Sequence, residues 1–429
     1  MAARSLARRS VRVVLLEARD RVGGRAWSCP SARTATPAEL GAEFIHGEAA
    51  LTKRLLREAG MASVDAGGEG WTCAEDGALR LEDRGAVSAG GIFEGARTLQ
   101  SDESVDRFLR RFDRDEASRK TARAARAFVE GFDAADPAIA SVRAIAEEWR
   151  SGVDFAIARP LGGYWRLFDH LRETCLSAGV QMCQPAIVHR IVWRRGAVAV
   201  QVSRGRDTQT FHARTAILTV PVGVLRHGGD ETAIVFDPDL PAAKIGALRQ
   251  IEMGHVVKVV LWFRTAFWER LDSGRYRDAS FFRCDGCPFP AFWTQVPVRG
   301  ESVVAWAGGP KAIAFGGAAE DAVIASAINC FGRLFPDPDL ARDEFDGGLM
   351  HDWTLDPFAR GAYSYVRVGG SGAREALAAP AEDTLFFAGE ATSTGGQAGT
   401  VNGALETGER AAAEAAAALG AAARRSRPG

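Results

Sequence analysis

Residues 11–27 read VRVVLLEARDRVGGRAW. Val11, Val13, Val14, Leu15 and Leu16 make a short apolar run that stops at Glu17. A run this short, closed by a charge, predicts a strand buried on both faces of a parallel sheet. A carboxylate just past such a strand is placed to accept hydrogen bonds from ribose hydroxyls. In dinucleotide-binding folds that acid follows a G-x-G-x-x-G turn by about 20 residues. Counting back that far from Glu17 passes Met1. Residues 1–10, MAARSLARRS, read as the tail of an Ala/Arg-rich helix. The first strand and its glycine turn are therefore expected to be missing, through an N-terminal truncation or a start placed too late. A chain without them is expected to bind a dinucleotide poorly and to expose a sheet edge. Gly23, Gly24 and Arg25 follow the strand. Alone they are an ordinary turn with a surface arginine. After a strand and an acid, they are read as a backbone approach to a phosphate or ring, with Arg25 supplying charge.

The chain has 429 residues, 47% apolar and 25% charged, enough for two domains or one large composite. A net charge of −1 gives no support to nucleic acid or an anionic membrane surface as partner. The seven cysteines are scattered and odd in number, which points to free thiols in a reducing compartment. No apolar stretch approaches the roughly 20 residues of a membrane span. The N-terminal apolar run is too short for an export signal and continues straight into Glu17-Ala-Arg-Asp, so the cytoplasm is expected.

Along the chain, residues 101–130 place Val105, Phe108, Leu109 and Phe112 at helical spacing, which predicts an amphipathic helix. Residues 162–179 predict a helix ending at Gly179. AIVHRIVW, VAVQVSR and TQTFHARTAILTVP predict a β-meander. DTLFFAGEATSTGG and the Ala-rich stretch from Gly399 predict strand, glycine turn and long helix returning to the first domain. The expected class is α/β, as an α+β composite. Residues 1–65, 165–230 and 346–420 are expected to form the nucleotide-binding part, and 66–164 and 231–345 a second domain. Residues 421–429 are expected to be a frayed tail.

GHVVKVVLWF, residues 254–263, is apolar on both alternating faces, yet carries Lys258 in its middle. A buried ammonium is costly unless paired or neutral. The competing reading is a lysine that snorkels to water. We favour the functional one, because a buried lysine in an apolar strand is often an active-site group. Gly389-Glu390 follow a strand, and the helix opening near Val401 presents a partial positive end. Cys284 and Cys287 form one CxxC, which without a second pair is a poor zinc or redox motif. No metal site is expected, and hydrolase or kinase motifs are not found.

Together these pieces resemble the FAD-dependent amine oxidase family (monoamine and polyamine oxidases). The segments that carry the resemblance are VVLLEARDRVGGRAW, ELGAEFIHG, TVPVGVL, GHVVKVVLWF, HDWTLDPFARGAYSYV, LFFAGEATS and GTVNGALETGERAA, in the family's order over nearly the whole chain. The resemblance implies a glutathione-reductase-type Rossmann domain for FAD, N-terminally incomplete here, with an inserted mixed-sheet substrate domain. It implies that Glu17 binds the adenosine ribose with Arg19 nearby, and that Gly24 and Arg25 face pyrophosphate and flavin. Val188 would make a backbone contact to adenine. Glu390 would lie beside the phosphate–ribityl chain and Val401 at the pyrimidine edge. Gly41, Glu43, Trp353 and Gly389 would complete the cofactor's surroundings. Lys258 would hold a water against flavin N5. His46, Tyr363 and Thr400 would meet substrate.

The implied reaction converts an amine to an imine and then an aldehyde, while dioxygen becomes hydrogen peroxide. The cofactor carries the hard step, so no strong acid–base pair is expected. Ala362 stands where covalent members carry the linking cysteine, which implies non-covalent FAD. Thr400 replaces one of the two aromatics that frame a monoamine, and His46 resembles a polyamine oxidase residue. GAEFIHG offers no arginine of the kind that clamps a carboxylate in the superfamily's amino-acid oxidases, so an amine or polyamine is favoured over an amino acid. Two alternatives are a flavin-free relic serving as a binding scaffold, and a flavin desaturase acting on a non-amine.

Overall fold

Val14–Leu16 forms a strand where the opening stretch predicts one and pairs in parallel with Gln181–Cys183, but it is not buried on both faces: Val14 is 43% exposed, and Leu15 and Leu16 are half-buried. Ala216–Leu218 pairs in parallel with Leu385–Phe387, so a strand near the end of the chain returns to its middle. The computed structural model describes every residue except 32–33, 35, 75, 83–88, 151–156, 231 and 426–429. Ala2–Ala7 is helical, as its sequence predicts, and packs on the C-terminal helix Val401–Arg425. Leu6, Phe386, Ala388, Ala411, Ala412 and Ala415 share one apolar cluster, with Val11 and Val13 at its margin. The alanine-rich face lets this long helix approach strand and helix closely; a Cβ on Gly408 would lie 3.2 Å from Met1 Cβ. The helix continues to Arg425, into the stretch read as a tail, whose last residues 426–429 lie outside the described ones.

The meander forms with one correction. Ile187–Arg194, Ala197–Arg204 and Asp207–Ala213 pair antiparallel, and Val235–Asp237 adds in parallel to the first. TQTFHARTAILTVP is not one strand. Its polar half is the exposed edge of this sheet, whereas the apolar Ala216–Leu218 joins the buried parallel pair. The charged stretch 101–130 also divides. Val105–Leu109 buries Val105, Phe108 and Leu109 as expected, but a second helix, Glu116–Gly131, starts afresh. The Asp115 carboxylate accepts from Ser118 N–H at 2.9 Å and caps that helix, a role for which aspartate is well suited.

A seven-stranded sheet forms the second layer system. Its order is Phe345–Asp352, Val256–Phe263, Ser302–Gly308, Ala291–Thr294, Ala279–Arg283, Glu69–Cys73 and Leu79–Leu81. Phe345–Asp352, placed by sequence mostly with the nucleotide part, is an edge strand here because it pairs antiparallel with Val256–Phe263. Every residue of Val256–Phe263 is buried. Val257, Val259, Leu261 and Phe263 face a core closed by the helix Glu320–Gly332. Val260 and Trp262 face Ala38 and Leu40 on the other side. This two-faced burial is what the continuous apolar pattern predicts. Among the described residues no helix is long and apolar enough to cross a membrane.

Candidate active site

Glu17 sits where the first parallel strand ends. Its N–H donates to Cys183 O at 3.0 Å, and its carbonyl accepts from Ala186 N–H at 2.7 Å. That second bond brings Glu17 beside the strand that carries Val188. The Glu17 carboxylate accepts from Arg19 N–H at 2.9 Å. Burial nevertheless holds this carboxyl above its ordinary range, against the pull of that hydrogen bond and of the Arg19 and Arg21 charges. Arg19 itself turns away: its guanidinium donates to Asp356 at 2.5 Å. Burial alone would raise the Asp356 carboxyl, but hydrogen bonds from His351 and Arg19 outweigh it and hold it well below the usual range.

Gly23 and Gly24 both have positive φ, at 100° and 57°. A Cβ on Gly23 would meet Ala26 O at 2.6 Å, whereas nothing lies within 4 Å of the same point on Gly24. The turn is therefore tight behind and open in front, which suits a ligand approaching the backbone. Arg21, which the sequence reading passed over, donates to Gly24 O at 2.8 Å and stacks on Trp27 with its centre 4.4 Å from the ring. Its Nη2 is buried and has no hydrogen-bond partner among the described residues. Burial, with the Arg19 charge next, draws this guanidinium down to about 10. A buried donor without a partner beside an open glycine turn is a ready acceptor site for an anion. The local signal was available, since Arg21 lies three residues before the glycine whose carbonyl it holds.

Arg25 links this turn to the end of the chain. It donates to Glu390 at 2.8 Å and to Ala362 O at 2.7 Å. Glu390 also accepts from Ser364 Oγ at 2.7 Å and Gly399 N–H at 3.1 Å. Burial raises its carboxyl, but the Arg25 and Arg374 charges outweigh burial and hold it below the usual range. Gly389 adopts φ 119° and donates its N–H to Thr407 Oγ1 at 3.0 Å. Arg25, Val220, Pro221, Leu225, Gly389 and Glu390 line a narrow cleft beside the turn. The long helix starts at Val401, and Asn402 pins that end by accepting from Thr52 N–H and Oγ1, both at 3.1 Å.

Lys258 is 1% exposed, so it does not snorkel. Its ammonium donates to Glu43 Oε2 at 2.8 Å and to Gly41 O at 3.1 Å, and lies 5.3 Å from the centre of the Trp293 ring. Lys258 and Glu43 therefore form a buried ion pair whose acidic member the strand's own sequence does not indicate. Glu43 is a hub: Arg159 donates to it at 3.0 Å and Trp293 Nε1 at 2.9 Å. Burial raises the Glu43 carboxyl, but Lys258 and Arg159 outweigh it and hold it low. Sequence had assigned Glu43 to the cofactor's surroundings, yet its oxygens are engaged by these side chains. Gly41 is dictated by backbone packing, since a Cβ there would fall 2.0 Å from Arg25 O. Trp353 fixes the same segment, donating to Leu40 O at 2.9 Å.

His46 and Tyr363 converge on Phe132. The His46 ring meets the Phe132 ring edge-on at 5.3 Å, and Tyr363 Oη donates to Phe132 O at 2.6 Å. The Tyr363 ring also covers Gly399, where a Cβ would come within 3.3 Å. Thr400 has a separate task. Its hydroxyl accepts from Gly403 N–H at 3.0 Å and so caps the C-terminal helix.

Glu39, also unforeseen, accepts from Ser28 Oγ at 2.7 Å and Tyr164 N–H at 3.0 Å. Burial, helped by the nearby Glu43 charge, pushes its carboxyl up to about 7, against Ser28 and Lys258. The folded state then binds more protons than the unfolded one between about 4.5 and 7. The stability this contributes is complete below that window and lost as pH rises through it. Glu39→Gln stays neutral throughout. Its stability relative to the wild type is expected to rise by about 3 kcal/mol from pH 4 to pH 8. Denaturation midpoints at the two pH values check this, and a parallel pH dependence in both proteins would refute it.

The family model for flavin containing amine oxidoreductases matches residues 1–82 and 94–416. Polyamine oxidase 2 of Arabidopsis thaliana is 29% identical over 442 residues, which span 96% of this chain and 84% of that protein. Lysine-specific histone demethylase 1 homolog 3 of Arabidopsis thaliana is 32% identical over 279 residues, 62% of this chain. The chain spans 16–32% of the length of the demethylase homologues it matches first. A putrescine oxidase solved with putrescine bound shares the fold at TM-score 0.78 and 21% identity, over 97% of this chain and 96% of that one. Cyclohexylamine oxidase from Brevibacterium oxydans does so at TM-score 0.76 and 19% identity, over 98% and 96% of the two chains. The match over nearly the whole length places this chain in the flavin containing amine oxidoreductase family.

Proposed function

We propose that this protein is an amine oxidase with non-covalent FAD, acting on a primary or secondary amine, polyamines included. The products would be an imine that hydrolyses to an aldehyde, and hydrogen peroxide from dioxygen. The observation that carries the reading is Lys258, an ammonium sealed in an apolar strand and anchored on the Gly41 carbonyl. A sealed cation there serves chemistry in which negative charge develops beside it in the absence of bulk water.

The residues present fit the cofactor. Glu17, half-buried and with its carboxyl raised, would take the ribose hydroxyls, with Val188 close by. The open face of Gly24 and the unpartnered Arg21 Nη2 would take the pyrophosphate, flanked by the Arg25–Glu390 pair. Val401 would present the positive end of its helix to the ring. When bound, a flavin would supply the hydride acceptor and the reducing equivalents for dioxygen. Ala362 offers no thiol for a covalent link. On the substrate side, Tyr363 is fixed by Phe132 and has no aromatic partner at Thr400, which favours a diamine or polyamine over a strict monoamine. The free cysteines support a reducing compartment such as the cytoplasm.

The test is an absorption spectrum of the purified chain after incubation with FAD and desalting, followed by acid precipitation. We expect flavin to remain bound and then to appear wholly in the acid supernatant. A peroxide assay over monoamines, diamines, polyamines and an N-methylated lysine peptide should then respond best to a diamine or polyamine. A colourless protein, or no peroxide from any amine, would reject the reading. Glu17→Ala and Arg21→Ala should each weaken FAD by roughly 1.5–3 kcal/mol, tenfold to a hundredfold in Kd, through lost charged hydrogen bonds. A fluorescence titration with unchanged Kd would remove that residue from the site.

A further inference from the structure

Four of the seven cysteines meet in the core on the sheet face opposite Lys258. Glu69–Cys73 runs parallel to Ala279–Arg283 with Thr72 opposite Arg283, so the next step sets Cys73 beside Cys284. Cys284 N–H donates to Pro290 O at 2.8 Å and closes the loop between Ala279–Arg283 and Ala291–Thr294. Within that loop Cys287 N–H donates to Cys284 O at 2.9 Å, folding Cys-Asp-Gly-Cys into a turn. The turn brings the two sulfurs together: Cys287 Sγ donates to Cys284 Sγ at 3.0 Å. Cys330, near the end of Glu320–Gly332, adjoins Cys287 from the helix side. Cys287 and Cys330 are buried, whereas Cys73 and Cys284 are half-buried.

The two thiols of the turn are unlike. The hydrogen bond from Cys287, aided by Cys73 and the Arg333 charge, draws Cys284 down to about 6 against burial. Cys287 keeps its proton, because its bonds to Cys284 and Cys330 and its burial raise it far above the ordinary range. A half-exposed thiolate beside a protonated thiol has the form of an attacking and a resolving cysteine. Among the described residues no group of three or more His, Cys, Asp or Glu is arranged to hold a metal ion, which favours a dithiol over a metal site.

We propose that Cys284 and Cys287 form a peroxide-reactive dithiol that closes into a reversible disulfide. The Cys284 thiolate attacks one oxygen of hydrogen peroxide and the O–O bond breaks. Hydroxide leaves and becomes water on protonation, while Cys284 becomes a sulfenic acid. The Cys287 sulfur then displaces that hydroxyl, which departs as a second water with the Cys287 proton. Two thiols lose two electrons and two hydrogens, and one peroxide becomes two waters. The proposed oxidase reaction releases this oxidant, but the site does not depend on that reading, since peroxide can be supplied from outside.

The full chain, reduced and desalted, is treated with stoichiometric hydrogen peroxide, quenched by alkylation and mapped by peptide mass spectrometry. The expected result is early loss of two thiols into a Cys284–Cys287 link, restored by dithiothreitol. Oxidation of Cys284 should be at least about tenfold faster than that of the half-buried Cys29. Cys287→Ser should accumulate a dimedone-reactive sulfenic acid at Cys284. The proposal is overturned if Cys284 reacts no faster than Cys29, or if the first disulfide joins another pair. It is equally overturned if the untreated protein holds zinc and its thiols react only after chelation. Since peroxide is added, none of these outcomes depends on amine oxidation.

Discussion

Glu43→Gln is expected to lower the stability of the folded chain by about 3–5 kcal/mol. Glu43 is the single carboxylate bonded to two buried cations, Lys258 at 2.8 Å and Arg159 at 3.0 Å. Removing its charge leaves both facing each other through a neutral amide. Lys258 keeps the Gly41 carbonyl, and Arg159 keeps Thr294 O and Val296 O, each at 2.8 Å. Those carbonyls satisfy hydrogen bonds but do not cancel charge. Breaking a buried pair from one side is costly for that reason, whereas exposed pairs contribute little. The measurement is the urea midpoint at pH 7. A loss below about 1 kcal/mol would mean that water already screens the cluster. Lys258→Met combined with Glu43→Gln should recover part of the loss, because it leaves one uncompensated buried cation, Arg159 on two carbonyls, in place of two. Simple additivity of the two substitutions would refute the hub.

What the sequence discloses about this cluster, and what it hides, follows from distance along the chain. Alternation in residues 254–263 shows that both faces of the strand are apolar, which favours a buried Lys258 over one that snorkels. It cannot show the partner, since Glu43 lies 215 residues away and Arg159 is 116 residues from Glu43. No periodicity carries such a pairing. Glu17, Gly24 and Glu390 could be singled out as candidates because strand, acid and glycine turn follow one another locally. The Arg25–Glu390 bond that joins two of these motifs spans 365 residues and could not be. A boundary was missed where two local signals competed: Asp115 restarts a helix inside a pattern that reads as one. The CxxC reads as weak because its neighbours, Cys73 and Cys330, arrive from another strand and a helix.

Lys258→Met is expected to slow the oxidative half-reaction about a hundredfold, while leaving the chain more stable than Glu43→Gln. The cluster holds two cations and one carboxylate, so it presents one net positive charge when all three are ionised. Methionine fills a similar volume and keeps the apolar strand intact, but the remaining Glu43–Arg159 pair is neutral. Charge developing on dioxygen beside this strand, all of whose residues are buried, would then meet no net positive charge from the cluster. Removal of hydride from the amine develops no such charge, so the reductive half-reaction should change by less than about tenfold. Lys258→Arg separates charge from shape: it restores the net positive charge and should recover part of the oxidative rate if charge is what acts. Stopped-flow mixing of amine-reduced protein with dioxygen reads the two half-reactions apart. An unchanged oxidative rate in Lys258→Met, with reduced stability, would make the lysine a structural counter-ion to Glu43 and leave its place in the chemistry without support.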